Sequence, residues 1–390
     1  MTINQFHTDS NQSEPNANHH LRVGITGQEG FIGTHLYNFL GIQEGVTRIT
    51  FKKDYFQDEK LLIDFVKTCD VIVHLAALNR HNEPEIIYKT NIDLINKLIA
   101  ACEIAEAKPH IIFSSSSQEE RENPYGKSKF EGRKLFEDWA ERNNAKFTGL
   151  IIPNVFGPFG NPYYNSFIAT FCHQLTHNEL PKIDVDAEVK LIYVGELVQE
   201  IFDVIRKPLP STSLQLPVTT KIKVSKVLSL LENYKANYYD KGIIPNLYNE
   251  FEKNLFNTFL CYINHEKFFP FYLTKHSDDR GSFVETVKLN SGGQVSFSTT
   301  VPGVTRGNHY HTRKAERFAV IKGKARIQLR KIGTKEILSF ELNGENPSFV
   351  DMPIWHTHSI TNIGDEELYT IFWINEHYKA EDGDTYFEKV

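Results

Sequence analysis

The sequence runs to 390 residues, 40% of them hydrophobic and 24% charged, with a formal net charge of −6. This is the balance of an ordinary globular chain long enough for two or three cores, so wholesale disorder is excluded, and the acidic excess excludes a nucleic-acid-binding surface. No window reaches the roughly 18 apolar residues of a membrane span, no basic-then-apolar leader opens the chain, and Cys69, Cys102, Cys172 and Cys261 are too scattered for a disulfide framework or a thiolate zinc site, which together point to a reducing cytoplasm.

Residues 1–20 are polar, show no apolar periodicity and read as a disordered tail. Order starts at Leu21. Leu21-Arg22-Val23-Gly24-Ile25 reads as a short buried strand, and Phe31, Ile32, Leu36, Phe39 and Leu40 then fall at helical spacing. A strand over 48–52, a helix over 59–67, the strand Val71-Ile72-Val73-His74-Leu75, a helix near 92–105 and a strand at 110–113 follow. Such strand–helix alternation builds a parallel sheet covered on both faces. Near residue 265 the helical period stops. Short alternating segments at 294–298, 317–321, 325–330, 336–341 and 368–373 take over, which predicts an antiparallel sandwich or barrel. The expected boundary lies between Leu260 and Phe271, dividing the ordered chain into 21–262 and 263–390.

The turn Thr26-Gly27-Gln28-Glu29-Gly30-Phe31-Ile32-Gly33 lies between the first strand and the first helix. Glycine is needed there for the tight turn, for close approach of a pyrophosphate and for packing of helix on strand. The helix N-terminus then presents N–H groups to the phosphates. About 20 residues further on, where NAD and NADP sites differ, the chain reads Phe51-Lys52-Lys53-Asp54. Lys52 and Lys53 can pair with a 2′-phosphate, while Asp54 can bond a ribose hydroxyl. The lysines come first after the strand, which favours NADPH. Tyr125 and Lys129 stand four apart and share a helix face. An ammonium beside the phenol lowers its pKa and equips it to move the proton that accompanies hydride transfer. The run Phe113-Ser114-Ser115-Ser116-Ser117 places hydroxyls at a strand end, where one can orient a carbonyl.

Together these features resemble the extended short-chain dehydrogenase/reductases: TGxxGxxG at 26–33, Asp70 with His74-Leu75-Ala76-Ala77, Asn91, the serine run, Tyr125 with Lys129, and Pro153-Asn154-Val155-Phe156-Gly157-Pro158. The resemblance implies a doubly wound Rossmann-type sheet, with Tyr125 as acid/base, Lys129 as its partner and Ser116 as the carbonyl-orienting hydroxyl; Ser115 and Ser117 stay open. It implies cofactor contacts from Gly27, Gly30, Phe31, Ile32, Gly33, Asp70, Leu75, Ala76, Ala77 and Asn91. Extended members mostly act on nucleotide sugars, which puts Asn154 and Asn165 in substrate-contacting segments. Tyr193-Val194-Gly195-Glu196 departs from the family, which usually carries an acid at the glycine position, and this puts the local helix cap in doubt.

Seven of the 16 histidines fall in the last 126 residues. In Gly303-x5-His309-Tyr310-His311-x4-Glu316-x6-Gly323, two histidines two apart point to one strand face and converge on a single ion, and Glu316 arrives from the next strand. Imidazoles and a carboxylate suit zinc or another divalent cation. The arrangement resembles a cupin, which implies an all-β barrel and His358, rather than His356, as the fourth ligand. Trp355 departs from the family, standing where glycine is usual. The segments Asp278-Asp279-Arg280-Gly281-Ser282-Phe283 and Arg306-Gly307-Asn308-His309 also resemble the metal-free cupin epimerases of deoxysugar pathways. In that resemblance His309 is a base and Arg280 and Arg306 meet nucleotide phosphates. Because His311 and Glu316 stand where those enzymes lack ligands, His309 is assigned to the metal.

The order of these parts, with NPYYNSFIATFCHQL at 161–175 and TRGNHYH at 305–311, resembles the CapF family of bifunctional capsular polysaccharide enzymes. The resemblance implies a UDP-4-keto-6-deoxy-N-acetylhexosamine substrate, C3 epimerisation in the cupin and NADPH-dependent reduction at C4. It further implies a homodimer and the product UDP-2-acetamido-2,6-dideoxy-L-talose, a precursor of N-acetyl-L-fucosamine. The alternatives are an NAD-dependent nucleotide-sugar 4-epimerase with a non-catalytic cupin, and a cofactor-sensing regulator without enzymatic activity.

Overall fold

The computed structural model describes residues 20–208, 212–279, 281–377 and 379–390. Arg280 and all but the last residue of the expected tail lie outside the described residues. The chain opens with β1 (Leu21–Thr26), α1 (Phe31–Leu40), β2 (Val46–Ile49), α2 (Glu59–Thr68), β3 (Val71–His74), α3 (Pro84–Ile104), β4 (His110–Ser116), α4 (Pro124–Asn143) and β5 (Phe147–Ile152). It continues through β6 (Asn154–Phe156), α5 (Phe167–Thr176), β7 (Glu188–Tyr193), α6 (Val194–Arg206), β8 (Thr212–Gln215), β9 (Thr220–Lys223), α7 (Val224–Tyr234), α8 (Glu250–Leu260) and α9 (His265–Phe268).

Six of these strands form one sheet, ordered β2-β1-β3-β4-β5-β8, with every pair parallel. Its central strands are buried on both faces, as the continuous apolar run of Val71-Ile72-Val73 requires. Phe65, Leu98, Phe136 and Trp139 from α2, α3 and α4 cover one face, and Leu36, Leu40, Leu197 and Ile201 from α1 and α6 cover the other. The result is the expected doubly wound Rossmann-like sheet. A smaller sheet, β6-β7-β9, packs with α5, α7 and α8 at its side.

Two expectations shift. The strand predicted over 48–52 ends at Ile49, because Phe51 N leaves the ladder to donate to Gln28 Oε1 (3.4 Å) and the chain enters a 3₁₀ turn at Lys53. The helix predicted near residue 92 begins at Pro84, whose fixed φ suits the first helical turn. The buried polar Asn91 interrupts the apolar period that would have shown it.

The second half is antiparallel: β10 (Phe271–Tyr272), β11 (Lys275–Asp278), β12 (Gly281–Val284), β13 (Gln294–Thr300), β14 (Thr305–Tyr310), β15 (Glu316–Lys322), β16 (Lys324–Lys331), β17 (Leu338–Asn343), β18 (Ser348–Met352), β19 (His356–Asn362), β20 (Leu368–Ile374) and β21 (Tyr386–Phe387). They build two five-stranded sheets, β10-β18-β15-β20-β13 and β17-β16-β19-β14-β21, and a separate β11-β12 pair. Ala319, Ile327, Phe340, Phe349 and Ile360 are among the residues of their shared core.

A buried ion pair within the second half meets the first half. Arg317, 1% exposed, lies on β15 and meets Asp351 on β18 through two bonds, Nε–Oδ1 (2.8 Å) and Nη2–Oδ2 (2.9 Å). Its remaining Nη1 donates to Gly242 O (2.7 Å), Tyr238 donates its hydroxyl to Asp351, and the guanidinium lies 3.5 Å from the centre of the Phe349 ring. Gly242 and Tyr238 belong to the segment after α7. Removing one member of such a pair strands the other charge without water. Arg317→Ala should therefore destabilise the chain by about 3–5 kcal/mol, read by tryptophan fluorescence during urea unfolding. The apolar replacement Arg317→Met with Asp351→Leu and Tyr238→Phe should recover most of that loss; equal stability of Arg317→Ala and wild type would show the pair to be dispensable.

Candidate active site and metal cluster

The glycine turn sits at the carboxyl end of β1. Gly27 adopts φ +75, and a Cβ there would lie 2.8 Å from Ala76 N. A Cβ on Gly33 would lie 2.2 Å from Gly27 O, so the helix approaches its own turn as the motif demands. No side chain caps the start of α1 at Gly30. Its first-turn N–H groups, including those of Phe31 and Ile32, are thereby available to an anion. Leu75, Ala76 and Ala77 follow β3 beside this turn; Leu75 N bonds Thr26 O (3.1 Å) and Ala76 N bonds Thr26 Oγ1 (3.4 Å). Lys52 and Lys53 are exposed at the start of the 3₁₀ turn beyond β2.

Of the residues expected to touch the cofactor, one sits elsewhere and another has its side chain engaged within the protein. Asp70 precedes β3 at the opposite end of the sheet from the glycine turn, where it takes two bonds from the Arg22 guanidinium (2.7 and 3.1 Å) and one from Arg22 N (2.8 Å). It ties β1 to β3. Asn91 is buried, and its amide is committed to Leu78 N (2.7 Å), Leu78 O (3.1 Å) and Ser128 Oγ (3.0 Å). It shapes the loop after β3 and anchors that loop to α4.

Tyr125 and Lys129 both lie on α4, whose start is capped by Asn123 Oδ1 accepting from Gly126 N (2.8 Å). Lys129 is buried. Its ammonium donates to Ser114 O (2.8 Å) and stands 5.6 Å from the centre of the Tyr125 ring. Burial lowers the Lys129 pKa to about 8, with Glu119 opposing the shift. Burial raises Tyr125 to about 12, opposed by a hydrogen bond with Ser116 and reinforced by nearby Tyr164. The phenol therefore holds its proton at neutral pH. The neighbouring serines are differently placed: Ser114 donates to His74 O (3.1 Å), Ser115 donates to Glu119, and Ser117 is exposed. Ser116 is the member of the run that meets Tyr125.

Asn154 lies exposed on β6 with Nδ2 donating to Lys190 O (3.2 Å), and Asn165 is exposed just before α5. Arg80, which the sequence reading missed, donates to Tyr163 O (2.8 Å) and Tyr164 O (3.2 Å). It joins the loop after β3 to the segment that brings Tyr164 near Tyr125. The doubtful cap at Gly195 is resolved by Glu196, which accepts from Tyr193 N (3.2 Å).

In the second half, His309, His311, Glu316 and His358 place one ligand atom each within 4.8 Å of one another. The cluster draws on both sheets: β14 and β19 carry His309 and His358, and β15 opens with Glu316. Glu316 Oε2 lies 3.2 Å from His311 Nε2 and 3.1 Å from His358 Nε2, yet all three atoms are buried with no hydrogen bond made. Buried polar atoms are rarely left unsatisfied, and three imidazoles facing a carboxylate fit a divalent cation. Burial alone would raise Glu316, but His311 and His358 outweigh it and hold the carboxylate well below its usual range. Burial, with His358 and His311, lowers His309 to about 4, so its imidazole is neutral. His356 lies outside the cluster, bonded to Ile354 O (3.0 Å) and packed beside Phe159 and His265. Arg306 directs its guanidinium to Thr300 Oγ1 (3.0 Å) and Thr299 O (2.9 Å).

Residues 23–213 match the NAD dependent epimerase/dehydratase family, and residues 276–386 match the polysaccharide biosynthesis C-terminal domain. The chain is 33% identical to the UDP-2-acetamido-2,6-beta-L-arabino-hexul-4-ose reductase of Pseudomonas aeruginosa over 369 residues, covering 94% of this chain and 98% of the relative. It matches the capsular polysaccharide assembling protein CapF from Staphylococcus aureus with TM-score 0.60 and 34% identity, over 94% of this chain and 100% of that one. The chain belongs to the CapF family. CapF-family membership places it among NAD(P)-dependent epimerase/reductase enzymes of polysaccharide biosynthesis. A likeness to RMD from Pseudomonas aeruginosa complexed with NADPH, at TM-score 0.51 and 17% identity, reflects a shared fold.

Two outcomes follow from this geometry. Tyr125→Phe keeps the ring and removes the proton, so ketone reduction should fall at least about 100-fold while cofactor binding survives; stopped-flow NADPH oxidation and fluorescence titration read the two separately. Purified chain should carry about one divalent ion, and His311→Ala should lose most of it because three ligands hold the ion less well. Elemental analysis that finds no metal in the wild type would return His309 to the role of base.

Proposed function

We propose that this chain performs two consecutive steps on one UDP-4-keto-6-deoxy-N-acetylhexosamine. The reading is carried by one juxtaposition: a protonated Tyr125 set by Ser116 and Lys129, and a separate histidine–glutamate cluster, in a chain matching a hexul-4-ose reductase along almost its whole length. The second half, about 263–390, acts as a cupin barrel and inverts C3. The C4 ketone acidifies the C3–H bond, a base removes that proton, and a proton returns on the opposite face. A zinc or other divalent ion, held by His309, His311, Glu316 and His358, would supply Lewis-acid polarisation of the ketone.

The first half, about 21–262, then reduces C4. The hydride comes from NADPH, which Gly27, Gly30 and Gly33 accommodate and Lys52 and Lys53 select. Tyr125 delivers the balancing proton to the C4 oxygen as Ser116 orients it, and the Lys129 ammonium stabilises the resulting phenolate. Asn154 and Asn165 contact the sugar nucleotide from the reductase side; Arg280 and Arg306 contact its diphosphate in the barrel. The product is UDP-2-acetamido-2,6-dideoxy-L-talose, a precursor of N-acetyl-L-fucosamine for surface polysaccharide, made in the cytoplasm by a homodimer.

The test separates the two sites. In D2O without NADPH, the full chain should place deuterium at C3 of the UDP-4-keto sugar and form no C4 alcohol, as read by NMR and mass spectrometry. Tyr125→Phe should exchange at the wild-type rate, and His311→Ala should not exchange. Exchange that survives His311→Ala but stops in Tyr125→Phe would assign the proton chemistry to the reductase half and leave the second half a binding module.

A further inference from the structure

His311 and Glu316, two of the four clustered residues, are separated by a turn. β14 ends at Tyr310 and β15 begins at Glu316; Trp355 N bonds His311 O (2.8 Å) and Asn375 N bonds Ala315 O (3.3 Å), but no strand ladder takes up the N–H groups of residues 312–314. Something else must set the orientation of both side chains. Asp384, more than 70 residues away in sequence, occupies that turn. Its Oδ1 accepts from Thr312 N (3.1 Å) and Thr312 Oγ1 (2.7 Å), and its Oδ2 accepts from Arg313 N (3.0 Å) and Lys314 N (3.0 Å). One buried carboxylate thus gathers three consecutive backbone N–H groups and a hydroxyl. Lys314, buried in the same turn, donates its ammonium back to Gly383 O (2.6 Å).

The backbone of the same residue reaches the cluster directly. Asp384 O accepts a hydrogen bond from His311 Nδ1. With that proton held on Nδ1, it is Nε2 that faces Glu316 Oε2 and is left to bind an ion. Asp384 achieves this at φ +40, a conformation uncommon outside glycine and tolerated best by Asp and Asn. The segment beyond it is fastened to the ligand-bearing strands. β21 pairs with β14 in the register His309↔Phe387 and Tyr310↔Tyr386, Glu388 N donates to Asn308 O (3.0 Å), and Thr357 donates its hydroxyl to Glu388 O.

We propose that Asp384 is a positioning residue for the metal cluster: its carboxylate holds the turn between His311 and Glu316, and its carbonyl selects the His311 tautomer that presents Nε2 to the ion. This rests on the metal reading above. A contact that orients a ligating histidine typically contributes 10- to 100-fold in metal affinity. Asp384→Asn is the sharpest change, because in either orientation the carboxamide NH2 must face backbone N–H, of Thr312 or of Arg313 and Lys314, in place of an acceptor.

The experiment measures cobalt(II) affinity of the metal-free full chain by competition with a chromophoric chelator, together with the visible spectrum of the bound cobalt. Asp384→Asn should bind cobalt about 10- to 100-fold more weakly with an altered ligand-field spectrum, while circular dichroism shows a folded apoprotein. Thr312→Val removes a single donor to Oδ1 and should lose about 2- to 10-fold, a fraction of that range, which keeps the idea testable if Asp384→Asn does not fold. His311→Ala is the control for loss of a ligand. A folded Asp384→Asn variant with wild-type affinity and spectrum, even one with a lowered melting temperature, would make Asp384 structural only and overturn the proposal, as would unchanged affinity in Thr312→Val should Asp384→Asn not fold. Wild-type chain that takes up no cobalt would overturn the metal reading and this assignment with it.

Discussion

Successive side chains on a β-strand point to opposite faces, and at Glu316 and Arg317 that alternation links the two halves of the molecule. Glu316 turns inward to His311 and His358. Arg317, the next residue, turns outward, meets Asp351 on the neighbouring strand, and reaches Gly242 O and Tyr238 from the helical segment of the first half. Neither face can move alone, since a shift of register by one residue would exchange them. The buried charges of Arg317 and Asp351 are tolerable only because every strong donor and acceptor between them is engaged, which fixes how β15 and β18 meet the first half more sharply than apolar packing would.

A second contact joins the same two regions from the cofactor side. His35 lies on α1, the helix that begins at the glycine turn, and is buried with Nε2 bonded to Pro158 O (2.9 Å). Its ring meets Trp355 edge-on at 6.4 Å and stacks with Phe159 at 5.9 Å. Trp355 is the residue that departs from the cupin pattern, and it keeps the conformation for which glycine is usual, at φ +59. Such backbone costs about 1–3 kcal/mol for a residue with a side chain. The indole offsets this by stacking on Tyr310 at 5.6 Å and meeting His35 of α1, while the backbone N–H of Trp355 donates to His311 O (2.8 Å). A position that elsewhere needs only a turn here carries part of the interface.

Much of this was legible in the sequence where local geometry leaves a local mark. Gly27 and Gly33 are dictated by close approaches of under 3 Å. Tyr125 and Lys129 follow from helical spacing, and His309, His311 and Glu316 from strand alternation and one turn. Asp70 sits away from the glycine turn because a motif position records that a residue matters without saying at which end of a strand it acts. Asp70 turns to Arg22 because both residues sit at the amino ends of adjacent parallel strands. Asp384, Arg80 and the Arg317–Asp351 pair left no readable signal, since their partners lie tens of residues away and a lone charged residue looks like surface.

Several of the protonation states that the proposed chemistry needs are set by the fold; at His311, burial is outweighed by Glu316 and the pKa is raised, so an ion competes there with a proton. Burial is the largest influence on Tyr125, Lys129, His309 and Glu316 alike; it decides the outcome at the first three, and partners reverse it at Glu316. At Tyr125 the Ser116 bond opposes burial without overcoming it, so a proton donor remains. At Lys129 burial lowers the pKa to about 8, which leaves the ammonium charged at neutral pH beside the phenol. At Glu316 two imidazoles reverse the effect of burial, and the group stays anionic opposite a neutral His309. A neutral imidazole beside a carboxylate is the state a divalent cation requires, and a protonated phenol is the state a ketone reduction requires. Groups fixed in this way need no reorganisation when the substrate arrives, which is the main source of electrostatic catalysis.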